Sequence, residues 1–255
     1  MSCFGQPTPF RWETSSNMFE VMSRHFTPRL FKFLRELAEN NERFWFEENK
    51  QRYLTDLREP ARRFITDFGT DHLPSISSHL IADARTQGGS LNRIYRDMRY
   101  NRDGKPYKTY VSIQFRHESA LGGPGPALHL HLEPDACWAG AGLWHPEAAV
   151  ARQIRHGIAE NGDEWHAAVH SPEFNESWEL ATHDDLHLKR IPAELKELAQ
   201  THLHPNDLRL RNFGASAKLT HAEITSKDFP ALLAERYHST RPLLAFLTKQ
   251  IGLGF

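Results

Sequence analysis

Residues 127–144 read ALHLHLEPDACWAGAGLW, and this stretch decides the fold. Its first half alternates three leucines with three polar residues, namely Leu128, Leu130 and Leu132 with His129, His131 and Glu133. Successive side chains of a strand point to opposite faces, so the pattern predicts a strand with one apolar and one polar face. In the second half, Trp138, Gly140, Gly142 and Trp144 alternate with Cys137, Ala139, Ala141 and Leu143. Two strands are therefore predicted, at 127–133 and 136–144.

The same alternation extends towards the N-terminus. In 109–116, Tyr110, Ser112, Gln114 and Arg116 share the polar face, and 91–100 is also predicted to be a strand. Turn-forming residues at 101–104 and 122–126 separate these segments. A late strand or hairpin is predicted at 208–219. The pattern favours a mainly antiparallel sheet with one face left for helices.

Helical spacing dominates both ends of the chain. Thr27-Pro28 begins a helix, and a second one covers 44–68, with Pro60 as a break or restart. Further helices are predicted at 145–160, 163–169 and 192–202, and after Ser226. The predicted class is α+β, with N- and C-terminal helices packed on one face of the sheet. Residues 1–25 are predicted to be an N-terminal extension and 26–255 one domain.

Composition excludes several classes of protein. The 255 residues carry a formal net charge of −1, so no overall charge draws the chain to nucleic acid or to an anionic membrane. No segment reaches 18 apolar residues, and residues 1–17 lack the apolar core of a secretory signal. The two cysteines, Cys3 and Cys137, form no Cys-x-x-Cys motif, which favours a reducing compartment. We expect a cytoplasmic protein without a membrane segment.

The polar face of the predicted sheet is a candidate ligand site. It combines arginine, histidine and carboxylate groups, and Trp138 and Trp144 flank glycines that would leave room for a molecule on the sheet. Large aromatic residues beside a few polar groups are typical of small-molecule sites. A sheet with one face in water would show the same alternation, so that alternative stays open.

A basic run adjoins this face. Its six cations against Asp97 and Asp103 give a local charge of +4; they are Arg93, Arg96, Arg99, Arg102, Lys105 and Lys108. Arginine suits carboxylate or phosphate groups, and the interleaved Tyr95, Tyr100 and Tyr107 could stack on a base. Arg96 falls on the apolar face, so it must lie at an edge, extend to solvent or pair with a carboxylate. A small anionic ligand, nucleic acid and a structural charge network all remain open.

His129, His131 and Glu133 could bind a divalent metal, although glutamate only two residues after the second histidine matches known metal motifs weakly. Otherwise His131 and Glu133 could transfer protons. Cys137 lies on the apolar face, which argues against a nucleophile. The sequence contains no Walker loop, Gly-x-Ser-x-Gly elbow or His-Glu-x-x-His motif.

Several motifs together resemble the domain of unknown function 2461 family, over roughly residues 26–250. They are Phe26-Thr-Pro, Phe33-Leu with Leu37, Asn40-Asn, Trp45-Phe-Glu-Glu-Asn-Lys, Tyr95-Arg-Asp-Met-Arg-Tyr, Lys105-Pro-Tyr-Lys-Thr, His131-Leu-Glu-Pro and Gly140-Ala-Gly-Leu-Trp-His-Pro-Glu. The resemblance implies no established activity, but it makes the Arg96–Lys108 segment, His131, Glu133 and Trp144 part of the family signature. At His129 the family is expected to carry an aromatic residue, which puts the three-ligand metal site in doubt.

The leading hypothesis is an enzyme or binding domain for a small anionic ligand. We expect the anion to be bound by Arg93, Arg96, Arg99, Lys105, Tyr107 and Lys108, with Trp138 and Trp144 as a wall. Asp97 would orient an arginine, while His131 and Glu133 would carry any proton transfer. The alternative is a non-catalytic nucleic-acid or protein interaction module that uses the strip 93–108. A third possibility is that the charges only stabilise the fold. No metal ligand is assigned, and the cofactor and oligomeric state stay open.

Overall fold

The computed structural model describes residues 24–99, 103–121, 125–181 and 187–255. Six strands are found in these residues: β1 (Leu80–Ile81), β2 (Val111–His117), β3 (Ala127–Leu132), β4 (Trp138–Leu143), β5 (Glu179–Leu180) and β6 (Phe213–Lys218). They form one sheet in the order β1-β2-β3-β4-β6-β5, and every neighbouring pair is antiparallel.

Helices precede, interrupt and follow the sheet. The α-helices in the described residues are α1 (Pro28–Glu39), α2 (Arg43–Glu48), α3 (Lys50–Arg52), α4 (Glu59–Asp71), α5 (Leu73–Ile76), α6 (Ala148–Glu160), α7 (Gly162–Val169), α8 (Pro172–Asn175), α9 (Lys196–Thr201), α10 (His221–Ile224), α11 (Phe229–His238) and α12 (Arg241–Gln250). A π-helical turn, Tyr53–Arg58, joins α3 to α4. Short 3₁₀ turns occupy Glu118–Leu121, Ala193–Leu195 and Pro205–Arg209.

Both the N-terminal and the C-terminal helices pack on the apolar face of the sheet. Phe68 of α4 stacks on Phe115 of β2, with ring centroids 5.1 Å apart. Tyr237 of α11 donates its hydroxyl hydrogen to the carbonyl oxygen of His129 at 2.5 Å, and α12 packs against β4. The buried side chains of sheet and helices form one contiguous hydrophobic cluster. The predicted α+β class, the antiparallel sheet and the helices on one face are confirmed.

The strands predicted at 109–116, 127–133 and 136–144 correspond to β2, β3 and β4. Burial alternates as expected in β2 and β3: in β2, Val111, Ile113 and Phe115 are buried while the residues between them are partly exposed. In β4 it does not alternate, because every residue after Trp138 is buried. The prediction for 208–219 is right in part: a 3₁₀ turn ends at Arg209, and one strand follows. The helix that follows Ser226 begins at Phe229.

The strand predicted at 91–100 is wrong for residues 91–99, the part of this segment that the structure describes. Only isolated bridges pair Leu91 with Ile113 and Tyr95 with Tyr107. Leu91 and Tyr95 are four positions apart, whereas their partners Ile113 and Tyr107 are six positions apart. The two bridges therefore cannot belong to one regular antiparallel ladder. Main-chain bonds hold the segment on both sides of this shift, from the N–H of Asn92 to Ser112 and from the N–H of Arg96 to Pro106. Beyond Arg96, the Asp97 carboxylate accepts from the backbone N–H of Arg99 and closes a local turn instead.

Residues 1–23 of the predicted N-terminal extension lie outside the described residues. The structure does describe His25, which is buried and hydrogen-bonded to Asp67 at 2.8 Å between ring Nε2 and Oδ2. Among the helices of the described residues, none has both the length and the apolar composition needed to cross a membrane.

Candidate functional site

Strand register arranges the polar face in rows. One row runs Ser112, His131, Trp138 and Lys218 across β2, β3, β4 and β6. The next row runs Gln114, His129, Gly140 and Ser216. Side chains in one row are neighbours, because directly opposed residues of antiparallel strands lie about 4.5–5.5 Å apart. The face predicted from alternation therefore exists, and β6 extends it beyond the tryptophans.

His131 and Glu133 form a hydrogen-bonded dyad on this face. Nε2 of His131 lies 3.1 Å from Oε2 of Glu133. An ionised carboxylate can only accept, so the hydrogen sits on Nε2 and Nδ1 is the basic nitrogen of the ring. The Thr109 hydroxyl donates to the other carboxylate oxygen of Glu133 at 3.4 Å. This is the arrangement in which a carboxylate orients an imidazole for proton transfer.

Aromatic rings enclose the dyad on both sides. The His131 ring stacks on Trp138 with centroids 5.1 Å apart and planes 11° from parallel. Tyr110 lies against the opposite side of His131 at 4.6 Å, and Nζ of Lys108 lies 5.8 Å from the centroid of Tyr110. The structure therefore brings together Lys108, His131, Glu133 and Trp138 of the predicted site.

Lys108 is a half-buried cation whose environment disfavours its charge. Burial lowers the pKa of the Lys108 ammonium, and the neighbouring positive charges of Arg93 and Arg96 lower that pKa further. No carboxylate of the described residues lies within ion-pair distance of Lys108. An anion bound beside Lys108 would relieve this repulsion.

Other cations of the predicted strip already have internal partners. Nη1 of Arg96 lies 2.8 Å from Oδ2 of Asp103, which settles how the arginine that broke the alternation is accommodated. Arg99 forms a two-point contact with Asp97, in which Nη2 lies 2.7 Å from Oδ2. These hydrogen bonds lower the pKa of the Asp97 carboxyl, and the charge of Arg93 adds to the effect.

Two further residues of the predicted ligand set lie away from the dyad. Tyr107 is only 3% exposed, and its ring stacks on Phe46 at 4.0 Å. Burial raises the pKa of its phenol. Tyr107 is thus a core residue with no exposed surface for a ligand. Lys105 is exposed, and its backbone N–H donates to Asp103.

The tryptophans occupy the space that the glycines provide. A Cβ added at Gly140 would lie 2.8 Å from Trp138 and 3.2 Å from Trp144, and one at Gly214 would lie 2.7 Å from Trp144. The prediction that Gly140 leaves room for a ligand on the sheet is therefore wrong: both indole rings fill that room. Trp144 also packs edge-on against His129 at 4.4 Å.

A cavity of about 950 Å³ opens beside the tryptophans, where β5 covers β6 for only two residues. Trp138 and Trp144 line it together with six polar residues, namely Asp135, His170, Asn175, Glu179, Ser216 and Lys218. His131 is not part of this lining. It stacks on the ring of Trp138, which does line the cavity. The predicted wall residues thus face a space large enough for a small molecule.

The geometry does not favour the three-ligand metal alternative. His131 is bound to Glu133, whereas His129 packs against Trp144 instead of turning to them. Burial, with a smaller effect from Arg116, lowers the pKa of His129 to about 4. Across the described ranges, no group of three His, Cys, Asp or Glu side chains is placed to bind a metal ion.

Cys137 is buried, as its place on the apolar face predicted. Its thiol donates to the carbonyl oxygen of Glu133 at 3.0 Å. Burial raises the pKa of the thiol, which disfavours the reactive thiolate.

Sequence reasoning assigned no role to Tyr110, Ser216 or Lys218. Tyr110 stood on the predicted polar face, and its contact with His131 follows from the β2–β3 register. Ser216 and Lys218 join the face only because β6 inserts beside β4. No local signal in the sequence indicates which strand neighbours β4.

Comparisons with known proteins identify the family. No curated protein and no solved structure matches the chain. One family model matches residues 29–246, which is most of the chain, and its description is "Conserved hypothetical protein (DUF2461)". Apart from Phe26-Thr-Pro, the motifs that suggested this family lie inside the matched range, as do His131, Glu133 and Trp144. The chain belongs to the DUF2461 family of conserved hypothetical proteins.

Proposed function

We propose that this protein binds a small anionic molecule on the polar face of its sheet and transfers a proton with the His131–Glu133 dyad. The observation that carries the proposal is the adjacency of two groups. Lys108 is a half-buried cation without a carboxylate partner among the described residues, and one aromatic ring, Tyr110, separates it from His131.

The cations would hold the anion by charge. Lys108 and Arg93 are the best candidates, because no carboxylate of the described residues pairs with either. Arg96 is tied to Asp103 and would contribute less. Binding an anion would raise the pKa of Lys108 again, so that part of the binding energy comes from relieved repulsion.

The dyad would supply proton transfer. Glu133 holds the ring of His131 from one nitrogen, and stacking between Tyr110 and Trp138 restricts its rotation. Nδ1 has no hydrogen-bond partner within the described part of the chain, so it is available to a ligand. A histidine held in this way is suited to act as a general base near neutral pH.

The nucleic-acid alternative finds less support. A strip that tracks a polyanion needs free cations along its length. Two of its arginines, Arg96 and Arg99, are paired with Asp103 and Asp97, and the interleaved Tyr107 is buried and could not stack on a base. The small-anion proposal needs only Lys108 and Arg93, neither of which pairs with a carboxylate of the described residues.

A thermal-shift screen tests the binding part. The probes are inorganic phosphate, sulfate, and di- and tricarboxylates, each with wild type, Lys108→Met and the exposed control Lys227→Met. A probe at 100 times its dissociation constant adds about 2.7 kcal/mol of stability, which corresponds to a rise in Tm of roughly 5–10 °C. We expect Lys108→Met to lose this shift and Lys227→Met to keep it. No shift with any probe, or a shift that survives Lys108→Met, contradicts the proposal.

Calorimetry tests the proton-transfer part. Titrating the best probe in two buffers with different ionisation enthalpies measures how many protons are taken up on binding. We expect proton uptake in wild type and its loss in His131→Gln, with the affinity changed less than in Lys108→Met. Equal proton uptake in both proteins would remove the dyad from the mechanism. Binding of a single-stranded oligonucleotide with a steep salt dependence, and of no small anion, would favour the interaction module instead.

A further inference from the structure

A second cavity, of about 820 Å³, lies outside the face described above. It opens between the α2–α4 helical region and the loop that leads into residues 91–95. Its charged lining residues are all cations: Lys50, Arg58, Arg93 and Arg116. Tyr53 and Tyr95 contribute aromatic surface. We call this cavity the cationic groove. His131, Glu133 and Trp138 do not line it, and only Arg93 is common to both sites.

Neighbouring carboxylates hold two of the four cations in place. Nζ of Lys50 lies 2.9 Å from Glu47, and the Arg58 guanidinium lies 3.0 Å from Glu59. Glu59 also pairs with Arg62, so one carboxylate serves two arginines there. Both glutamates stand outside the lining of the groove. These contacts fix the cationic groups without bringing a negative charge into the cavity.

The other two cations, Arg93 and Arg116, form no salt bridge with a carboxylate of the described residues. Nε of Arg116 donates to the amide oxygen of Gln114 at 3.0 Å, which leaves its two terminal NH₂ groups available. Neither Arg116 nor Arg93 has a carboxylate partner within the ranges that the structure describes. Arginines with free planar donors suit phosphate oxygens, which they bind through two hydrogen bonds.

Tyr95 adds an open aromatic surface to these cations. Its ring packs edge-on against Phe46 at 6.0 Å and lies 5.4 Å from Tyr107, yet 46% of the residue stays exposed. A ring that is supported by its neighbours and still exposed is ready to stack on a flat partner at little entropic cost. Gly88, with φ of 71°, lies in the groove wall and adds no side chain, so a ligand can approach the backbone.

We propose that the cationic groove is a binding site for a nucleoside phosphate, with the phosphates on Arg58, Arg93 and Arg116 and the base on Tyr95. Two arginines without a salt bridge, Arg93 and Arg116, supply most of the positive charge, and Arg58 and Lys50, which are paired with Glu59 and Glu47, add donors. Because no acidic residue lines the groove, this set selects an anion over a neutral molecule. The exposed tyrosine selects a ligand with a flat ring over inorganic phosphate. The volume lies in the range of small-molecule sites, which run from about 300 to 1,000 Å³.

Titration of the full chain with ADP, adenosine and pyrophosphate tests this site. We expect ADP to bind, and adenosine to bind at least about tenfold more weakly because it lacks the charged groups. The double variant Arg58→Gln/Arg116→Gln should weaken ADP binding by about tenfold or more, since a hydrogen bond to a charged group contributes roughly 1.5–3 kcal/mol. Arg211→Gln, an exposed arginine outside the groove, is the matched control. If the double variant loses its fold by circular dichroism, Lys50→Gln with Arg116→Gln replaces it.

Tyr95→Leu tests the contact with the base separately from the contacts with the phosphates. It should weaken ADP binding and leave pyrophosphate binding unchanged. Pyrophosphate that binds as tightly as ADP, with no effect of Tyr95→Leu, would overturn the nucleoside assignment. No ADP binding at about 1 mM, or equal affinity in the arginine double variant, would overturn the site itself. His131→Gln should not change ADP affinity, so this test and the test of the dyad can fail independently.

Discussion

The indole of Trp144 lies directly on Gly214. A Cβ added at this glycine would stand 2.7 Å from Cζ2 and 3.0 Å from Cη2 of Trp144. Trp144 follows the last residue of β4, and the chain turns sharply after it, because His145 has φ of 52° and its backbone N–H donates to the buried Asn212 side chain at 2.7 Å. The wall of the 950 Å³ cavity therefore depends on a residue with no side chain in a neighbouring strand.

We expect Gly214→Ala to displace Trp144 and to lower the free energy of unfolding by about 1–3 kcal/mol, the usual cost of overpacking. Urea unfolding measures the stability, and the tryptophan emission spectrum reports the displaced ring. Ser216→Ala, exposed on the same strand, should change neither quantity. A Gly214→Ala protein with wild-type stability and emission would show that the contact can be accommodated.

His129 should make stability depend on pH. Its pKa falls from 6.5 to about 4 in the folded protein because burial disfavours the imidazolium. Between pH 6.5 and pH 4 the unfolded chain binds a proton at His129 that the folded protein does not bind. The contribution of His129 to the free energy of unfolding is therefore fully present above pH 6.5 and is lost as the pH falls towards 4. The loss is about 3 kcal/mol over that range.

Urea unfolding at pH 7 and pH 4.5 of wild type and His129→Phe checks this. The variant should lose clearly less stability on acidification than wild type, because its ring cannot be protonated. Some loss should remain in the variant, because other groups still titrate over this range. Equal losses in the two proteins would exclude His129 as the source.

Asp207 should be essential for stability through its buried hydrogen bonds. Its Oδ2 accepts from Nε1 of the buried Trp165 at 2.7 Å and lies 2.6 Å from Nε2 of His170. We expect Asp207→Ala to cost about 3 kcal/mol, because the indole N–H then stays buried without an acceptor. Asp71→Ala, an exposed position, should change stability by less than about 0.5 kcal/mol. The double variant Trp165→Phe/Asp207→Ala should lose less free energy of unfolding than the two single variants lose together. Strictly additive losses would disprove the coupling between the two residues.

Cys137 should react slowly with thiol reagents in the folded protein, since burial raises its pKa. In a Cys3→Ser background, labelling by a disulfide reagent at neutral pH should be at least about tenfold slower than in urea, where the thiol approaches its unperturbed pKa. Immediate labelling without denaturant would contradict the buried position.

The leucine–histidine alternation of β3 was sufficient to predict the sheet and its two faces, because the side-chain period of a strand is a local property. The dyad followed from the same rule, since His131 and Glu133 are two residues apart in one extended stretch. The prediction for 91–99 is wrong because the alternation looks regular, whereas the pairing register shifts by two residues between Leu91 and Tyr95, and no local pattern reveals that shift.

Long-range placement could not be read from local pattern. Tyr107 alternates like a ligand residue, but its contact with Phe46 of α2 buries it. Alternation predicts open space at Gly140, although the rings of Trp138 and Trp144 fill that space. The two-residue strands β1 and β5 are too short for any periodicity, and the π-helical turn at Tyr53–Arg58 looks like ordinary helix in sequence.

The strand order also has a kinetic consequence. Strands β2, β3 and β4 form a meander of consecutive antiparallel neighbours, whose pairing closes only short loops. Strand β5 comes before β6 in the chain but lies outside it in the sheet, so it joins the meander only through the pairing of β6 with β4. We therefore expect the meander and its dyad to form early in folding. The β5 edge, and with it the tryptophan cavity, should be completed last, so amide hydrogens at Glu179 and Leu180 should exchange far faster than those of β3.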